Sequence, residues 1–312
     1  MARALSHYNG KSSFLSLSRS NPCHPSPSPF FTFKPMMVTM AHNSQSSSYW
    51  ASIEEEIEDH LKQAIPVRPP TAVFEPMNCL VFAAPKTKAP ALCVASCELV
   101  GGRRAEAMDA ASALHLMHSA AYTHENLPLT DRPDAKPMIH HAYNPNIELL
   151  TGDGIVPFGF ELLARDVGPA QNNLDQVLRV IVEITRAIGS RGIVHGQYNE
   201  IQGTQSDDGE LCNDEWIEYV CKKKEGELHA CGAACGAILG GGSEDEIEGL
   251  RKYGLYVGMI YGILNGVGRK EKGLVEVVEK LRALALEELE SFKGSSNVES
   301  ISSLVEVNIF NV

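Results

Sequence analysis

One run constrains this chain more than any other. Leu174, Val177, Leu178, Ile181, Ile184 and Ile188 recur at steps of three and four, which lines them along one helix face, and Gly189 closes the run. The same period returns elsewhere. Ile53, Ile57, Leu61 and Ala64 share a face behind Ser52 and Glu55, which predict a capping box, and Pro66, Pro69 and Pro70 stop that helix. Ala91–Val100 is apolar and ends at Gly101-Gly102, a helix C-terminal signal. Ala105 to about His124 holds Ala, Leu, Met and few breakers, and a polar, Pro-rich loop is expected from Leu127 to Asn146. Trp216–Leu239 predicts one long helix ending at Gly240-Gly241-Gly242, and Ser243 with Glu246 makes a second capping box that opens the next. Leu274, Val277, Val278, Leu281 and Leu284 mark the last clear helix. Period-two alternation is scarce, and Asn265-Gly266 sits in a Gly-rich helical run rather than between β-branched segments. The expectation is a single all-α domain, with Val298–Val312 unassigned.

Residues 1–48 are set apart. They contain no Asp or Glu, twelve serines, and the bases Arg3, Lys11, Arg19 and Lys34. An acid-free, Ser-rich, sparsely basic stretch is the signature of an organelle transit peptide, and the continuous apolar core of a secretory signal is missing. The serine excess over arginine points to a plastid. The expected organisation is a disordered transit peptide over 1–48 and the helical domain over 49–312, placed in the chloroplast stroma. Removing that leader leaves 23 basic against 39 acidic residues, a charge of about −16. Such an acidic balance argues against non-specific nucleic-acid binding. No run of about 18 apolar residues predicts a membrane span.

Of eight cysteines, Cys23 lies in the leader, and the odd remainder in an organelle interior reads as free thiols. Cys93–Cys97 and Cys231–Cys235 form two Cys-x-x-x-Cys pairs. That spacing stacks both sulfurs on one helix face, and the small neighbours Ala95, Ser96, Gly232, Ala233 and Ala234 let another helix approach closely. Structural zinc favours tighter knuckles and redox pairs favour Cys-x-x-Cys, so from spacing alone small buried apolar residues remain the leading reading. Gly240-Gly241-Gly242 has no Lys-Ser/Thr after it and no strand before it, which leaves a helix–helix turn rather than a phosphate loop. His115, His118 and His124 share a helix without a His-Glu-x-x-His pattern, as partly buried polar residues do. Lys222-Lys223-Lys224 is open to two readings, a solvated face or a diphosphate contact.

Several blocks resemble a known family. Pro90–Gly102 is similar to an early sequence block of the trans-prenyl diphosphate synthases, and Gly236–Glu246 to a later block of the plant geranylgeranyl diphosphate synthases. Thr151–Gly154 and Gly192–Gln197 resemble the family's Ala-Gly-Asp and Gly-x-x-x-Gly-Gln segments. The resemblance, from about Trp50 to Arg269, implies the all-α isoprenoid synthase fold. Such enzymes ionise an allylic diphosphate, and Mg²⁺ held by two Asp-rich motifs stabilises the leaving group.

Those motifs are altered. The first, His-Asp-Asp-x-x-x-x-Asp, matches His124-Glu125-Asn126 and then Asp131. The second, Phe-Gln-x-x-Asp-Asp-x-x-Asp, matches Tyr261-Gly262, then Asn265-Gly266, then Arg269. The basic isopentenyl diphosphate segment has become Ala84–Pro90, which keeps Lys86; Gln197 and the phosphate-binding Lys224 are also kept. The resemblance therefore implies no catalytic residue and no metal in this chain, with Lys86, Gln197 and Lys224 as residual diphosphate contacts.

Lost Asp-rich motifs together with two Cys-x-x-x-Cys pairs resemble the type I small subunits of plant heteromeric geranyl diphosphate synthases, as do Tyr143–Leu163 and Cys221–Cys235. That implies a regulatory subunit, inactive alone, in a heterodimer or heterotetramer with a geranylgeranyl diphosphate synthase-like large subunit. Cys93, Cys97, Cys231 and Cys235 would mediate association, Mg²⁺ would bind only in the catalytic partner, and the product would be geranyl diphosphate for monoterpenes. The alternatives are a weak independent prenyltransferase using Glu125, Asp131 and Lys224, and an isoprenoid-binding module.

Overall fold

The computed structural model describes residues 44–127, 141–165, 173–205, 213–265, 273–295 and 297–306. These residues form helices α1 (Ser44–Ala64), α2 (Thr71–Ala83), α3 (Ala89–Leu99), α4 (Arg104–Glu125), α5 (Pro145–Arg165), α6 (Leu174–Ile188) and α7 (Ile193–Gln205). Then come α8 (Asp214–Cys221), a π-helical turn (Lys222–Gly226), α9 (Glu227–Leu239), α10 (Glu244–Asn265), α11 (Gly273–Glu288) and the short α12 (Val298–Ser302). No strand occurs among the described residues, so the all-α expectation holds. None of the described helices is long and apolar enough to cross a membrane.

The bundle is organised around two helices with no polar face. Every residue of α3 from Ala89 to Cys97, and of α9 from Leu228 to Ile238, is buried. A helix that is apolar all round has to sit inside its own protein. α9 packs against α3, α4, α6 and α10. Glycine makes the closest of these contacts. A Cβ on Gly236 would stand 1.9 Å from the Cys93 carbonyl oxygen on α3, and one on Gly258 would stand 2.4 Å from the Glu225 carbonyl oxygen. The α3/α9 and α10/π-turn seams therefore run backbone against backbone.

Several sequence expectations need correcting. Ser52 does not cap a helix, because α1 begins at Ser44; its hydroxyl instead bonds Glu56 (3.2 Å) and accepts from Arg104 (3.0 Å). Ser46, in the first turns of α1, bonds Ser303 at 2.6 Å. The expected loop over 127–146 is shorter at its far end, since Pro145 opens α5; residues 128–140 lie outside the described set. Pro suits a first helical position, where its missing N–H has no partner to lose. The single helix expected over 216–239 is interrupted by the π turn. The Ser243–Glu246 box is present in both directions, at 2.7 and 3.3 Å. Val298–Val305 becomes α12 and a 3-10 turn, held where Trp50 Nε1 donates to the Ser300 carbonyl at 3.0 Å and the Tyr253 hydroxyl donates to the Ile301 carbonyl.

Candidate functional site

The end of α4, the helix α7 and the π turn bring the motif residues together. Glu125 is the last residue of α4, Gln197 and Glu200 lie on α7, and Lys224 sits in the π turn. Gly196 lets α7 reach that turn: a Cβ there would stand 2.7 Å from Lys224 Cγ and 2.9 Å from Lys223 Cβ. The Lys224 ammonium donates to Glu125 Oε1 at 3.0 Å and to Glu200 Oε2 at 2.6 Å. Each of the three side chains is 17% exposed or less. Burial alone would pull the Lys224 pKa down, but the two carboxylates outweigh it and raise it above the ordinary lysine value. The phosphate-type lysine is charged, and its charge is answered by the chain's own carboxylates.

Two further motif positions carry neutral amides in place of metal-ligating carboxylates. Asn126 and Asn265 stand where the family's motifs carry aspartates, and both amides turn back on their own helices. Asn126 Nδ2 donates to the Tyr122 carbonyl at 2.8 Å and Asn265 Nδ2 to the Tyr261 carbonyl at 3.0 Å. Glu125 has a cation on it. Among the described residues no group of three His, Cys, Asp or Glu is placed to hold a metal. Asp131, Gly266 and Arg269 lie outside the described residues. Lys86 is turned to Glu58 on α1 at 2.9 Å. Gln197 lies one helical turn before Glu200.

The three histidines of α4 behave as polar residues satisfied locally. His115 meets the Val81 carbonyl (3.1 Å), His118 the Pro85 carbonyl (3.0 Å) and His124 the carboxylate of Asp153 (3.3 Å). Sequence reasoning missed Glu200, which lies 24 residues from its lysine and carries no motif signal of its own. It also missed His229. That imidazole is fully buried on α9, with Nδ1 2.8 Å from the Glu225 carbonyl oxygen. Its Nε2 and the hydroxyl of the stacked Tyr261 ring, 6.0 Å away, have no hydrogen-bond partner among the described residues. Burial pushes the His229 pKa down to about 4.

The four motif cysteines line the α3/α9 region from both helices. None is more than 2% exposed. Cys231 and Cys235 hold their sulfurs 3.7 Å apart, and Cys97 Sγ contacts the Arg103 carbonyl at 3.4 Å. Burial pushes the Cys97 thiol up to about 12 and Cys93 well above its usual range. Burial thus disfavours the thiolate at Cys93 and Cys97, opposite to what a nucleophilic cysteine needs. All four side chains are buried within this chain, and α6 packs on α9, the helix that carries Cys231 and Cys235. That helix buries Val177, Val180, Ile184 and Ala187 but leaves Leu174, Leu178 and Val182 45–52% exposed in a row at i, i+4, i+8. Its outer side thus carries an apolar row beside the charged residues Asp175, Arg179 and Arg186.

A family model, polyprenyl synthetase, matches residues 70–266. The chain belongs to the polyprenyl synthetase family. It is 56% identical over 282 residues to a Cannabis sativa protein named heterodimeric geranylgeranyl pyrophosphate synthase small subunit 2, chloroplastic, covering 88% of this chain and 98% of that one. Among solved structures it is similar to the geranyl diphosphate synthase small subunit from Antirrhinum majus. The TM-score is 0.77 at 58% identity, covering 84% of this chain and 99% of that chain. It is also similar to a mint deletion mutant of heterotetrameric geranyl pyrophosphate synthase in complex with ligands. There the TM-score is 0.74 at 53% identity, covering 83% and 99%. The resemblance to small subunits of heteromeric prenyl synthases, drawn from the Cys pairs and the altered Asp-rich motifs, thus extends over most of the chain. The names of these relatives differ in product, geranylgeranyl in one and geranyl in the others.

Proposed function

We propose that this chain is a non-catalytic small subunit. It associates with a geranylgeranyl diphosphate synthase-like large subunit and directs the complex to geranyl diphosphate, the C10 precursor of monoterpenes. The observation that carries the non-catalytic reading is the Lys224–Glu125–Glu200 triad. Ionising an allylic diphosphate requires a concentration of positive charge over the leaving group. Here the retained cation is neutralised internally, and two described metal positions, Asn126 and Asn265, are neutral amides. If each lost carboxylate removes about 2 kcal/mol of transition-state stabilisation, these two alone remove about three decades of rate. Mg²⁺ then belongs to the catalytic partner. The same triad weighs against an independent prenyltransferase built on Glu125, Asp131 and Lys224.

The partner reading is supported by α6. Half-exposed Leu174, Leu178 and Val182 on one face are what a helix shows when its outer side is meant to be covered. Burying them would contribute about 1 kcal/mol each, roughly half of full burial of such a side chain. Ile147, Leu149 and Leu150 on α5, and Val194 and Tyr198 on α7, are further exposed apolar groups on helices that pack beside α6. Cys231 and Cys235 lie in α9 beneath α6, so the motif acts on association by setting where α6 sits. The covered face then shapes the partner's cavity and stops chain growth at C10. Plastid stroma as the location is supported by the acid-free leader and by the chloroplastic name of the Cannabis relative.

Co-purification tests this. Leu178→Asp places a charge in the centre of the α6 row and is expected to abolish recovery with a tagged large subunit while leaving the chain folded. Undiminished recovery would refute docking through α6.

A further inference from the structure

The triad is not the only cluster of charge in this acidic protein. A groove of about 470 Å³ opens between α6, the α6–α7 turn, α9 and α10. Four cations stand at it against two carboxylates, Glu183 and Glu227. Both carboxylates are already engaged. Arg251 holds Glu183 through two bonds of 2.6 and 3.0 Å, and Lys223 bonds Glu227 at 3.1 Å and the Arg191 carbonyl at 3.0 Å. That leaves Arg186 and Arg191, both exposed and neither with an ion-pair partner among the described residues. Two guanidinium groups without an ion-pair partner among the described residues, at one groove, run against a chain charge of −12.

Position says what they serve. Arg186 is the next i+4 step after Leu174, Leu178 and Val182, so the exposed apolar row of α6 leads straight to the mouth of this groove. The small buried residues Ala187, Ala230 and Cys231 line the groove between those charges. A glutamate side chain, or a short acidic segment, would lay its methylenes against these residues and present its carboxylate to the guanidinium groups. A charged rim beside an apolar row is the usual make-up of a protein interface, and complementary charge there governs encounter rate and register.

We infer that this groove receives an acidic segment of the partner subunit, with Arg186 and Arg191 steering the encounter and fixing its register. The inference rests on the subunit reading above and adds to it the chemistry of the partner's contact. It requires that the large subunit carry Asp or Glu beside the apolar surface that covers α6.

The test is the association rate of the full chain with an immobilised large subunit at low and high NaCl, for the wild type and for Arg186→Glu/Arg191→Glu. At low salt the variant should associate at least about tenfold more slowly, and the wild-type rate should fall steeply with salt while the variant's does not. Both side chains are exposed, so an unchanged thermal midpoint will show that the variant is folded. Equal rates and equal salt slopes would overturn the inference and leave the subunit reading standing. No association of the wild type at any salt would overturn both. Inorganic pyrophosphate is the competing occupant. Its binding to the wild type and not to the variant, with association rates unchanged, would make the groove a small-anion site and overturn the inference.

Discussion

Replacing Gly236 with alanine would drive a methyl group into the α3 backbone. The added Cβ would lie 1.9 Å from the Cys93 carbonyl oxygen, 2.8 Å from its carbon and 3.0 Å from the Cys97 nitrogen. A carbon–oxygen contact closes at about 3.3 Å, so α3 and α9 would have to part by about 1.4 Å. A gap of 0.5–1 Å already forfeits roughly a quarter to a half of each van der Waals well, and the loss runs along the whole seam. The obstructing atoms are backbone, so no rotamer relieves the clash. We therefore expect the upper end of overpacking, about 3 kcal/mol, offset by about 1 kcal/mol of better helix propensity. The net loss is about 2 kcal/mol, roughly a 30-fold change in the folding equilibrium. Gly241→Ala is the internal control. Its φ of 79° is strained for alanine, but nothing lies within 4 Å of the new Cβ, so about 1 kcal/mol is expected. Urea unfolding followed by far-ultraviolet circular dichroism measures both. A Gly236→Ala loss equal to or smaller than that of Gly241→Ala would refute the backbone-contact argument for the α3/α9 seam.

Three further outcomes follow from the same geometry. Cys231→Ser with Cys235→Ser puts two hydroxyls into an apolar seam at about 1–3 kcal/mol each, and should reduce recovery of the complex with the large subunit; full recovery would separate the motif from association. Glu125→Gln with Glu200→Gln frees the Lys224 ammonium, so inorganic pyrophosphate binding, read by calorimetry, should appear in the variant and be absent from the wild type. His229 titrates near 6.5 when unfolded and near 4 when folded, so the unfolded chain binds the extra proton between those values. Its contribution is present above pH 6.5 and is lost as pH falls towards 4, by about 3 kcal/mol in full, and His229→Gln should flatten that part of the urea midpoint profile; an unchanged profile would reject it.

Where the sequence speaks through periodicity, it is legible. α6 could be placed to the residue because its apolar positions repeat every three to four and Gly189 ends them. α5 was recognisable only as a block similar to a family's, because Gly152, Gly154 and Pro157 look like breakers. Two glycines of this helix are contact points: a Cβ on Gly152 would stand 2.4 Å from His124 Nε2, and one on Gly159 would stand 2.7 Å from the methyl of Met117. The π turn left no mark in composition, since Lys222–Gly226 reads as ordinary helix until its hydrogen bonds are seen. The altered motifs told which carboxylates were gone. They did not tell what replaced the missing ligand of Lys224, because Glu125 and Glu200 reach it from 99 and 24 residues away. The Cys pairs predicted close helix packing correctly. Their burial was the leading reading from spacing alone, and what the spacing could not show is that α6 packs against α9.

The central claim is that this chain changes another subunit's product without making one itself. Its most direct test is a product assay with labelled isopentenyl and dimethylallyl diphosphates and Mg²⁺. The chain is assayed alone and then together with a geranylgeranyl diphosphate synthase-like large subunit. We expect no elongated product from the chain alone, and a shift of the mixture towards geranyl diphosphate relative to the large subunit by itself. Elongation by the pure chain, or an unchanged product profile in the mixture, would contradict it.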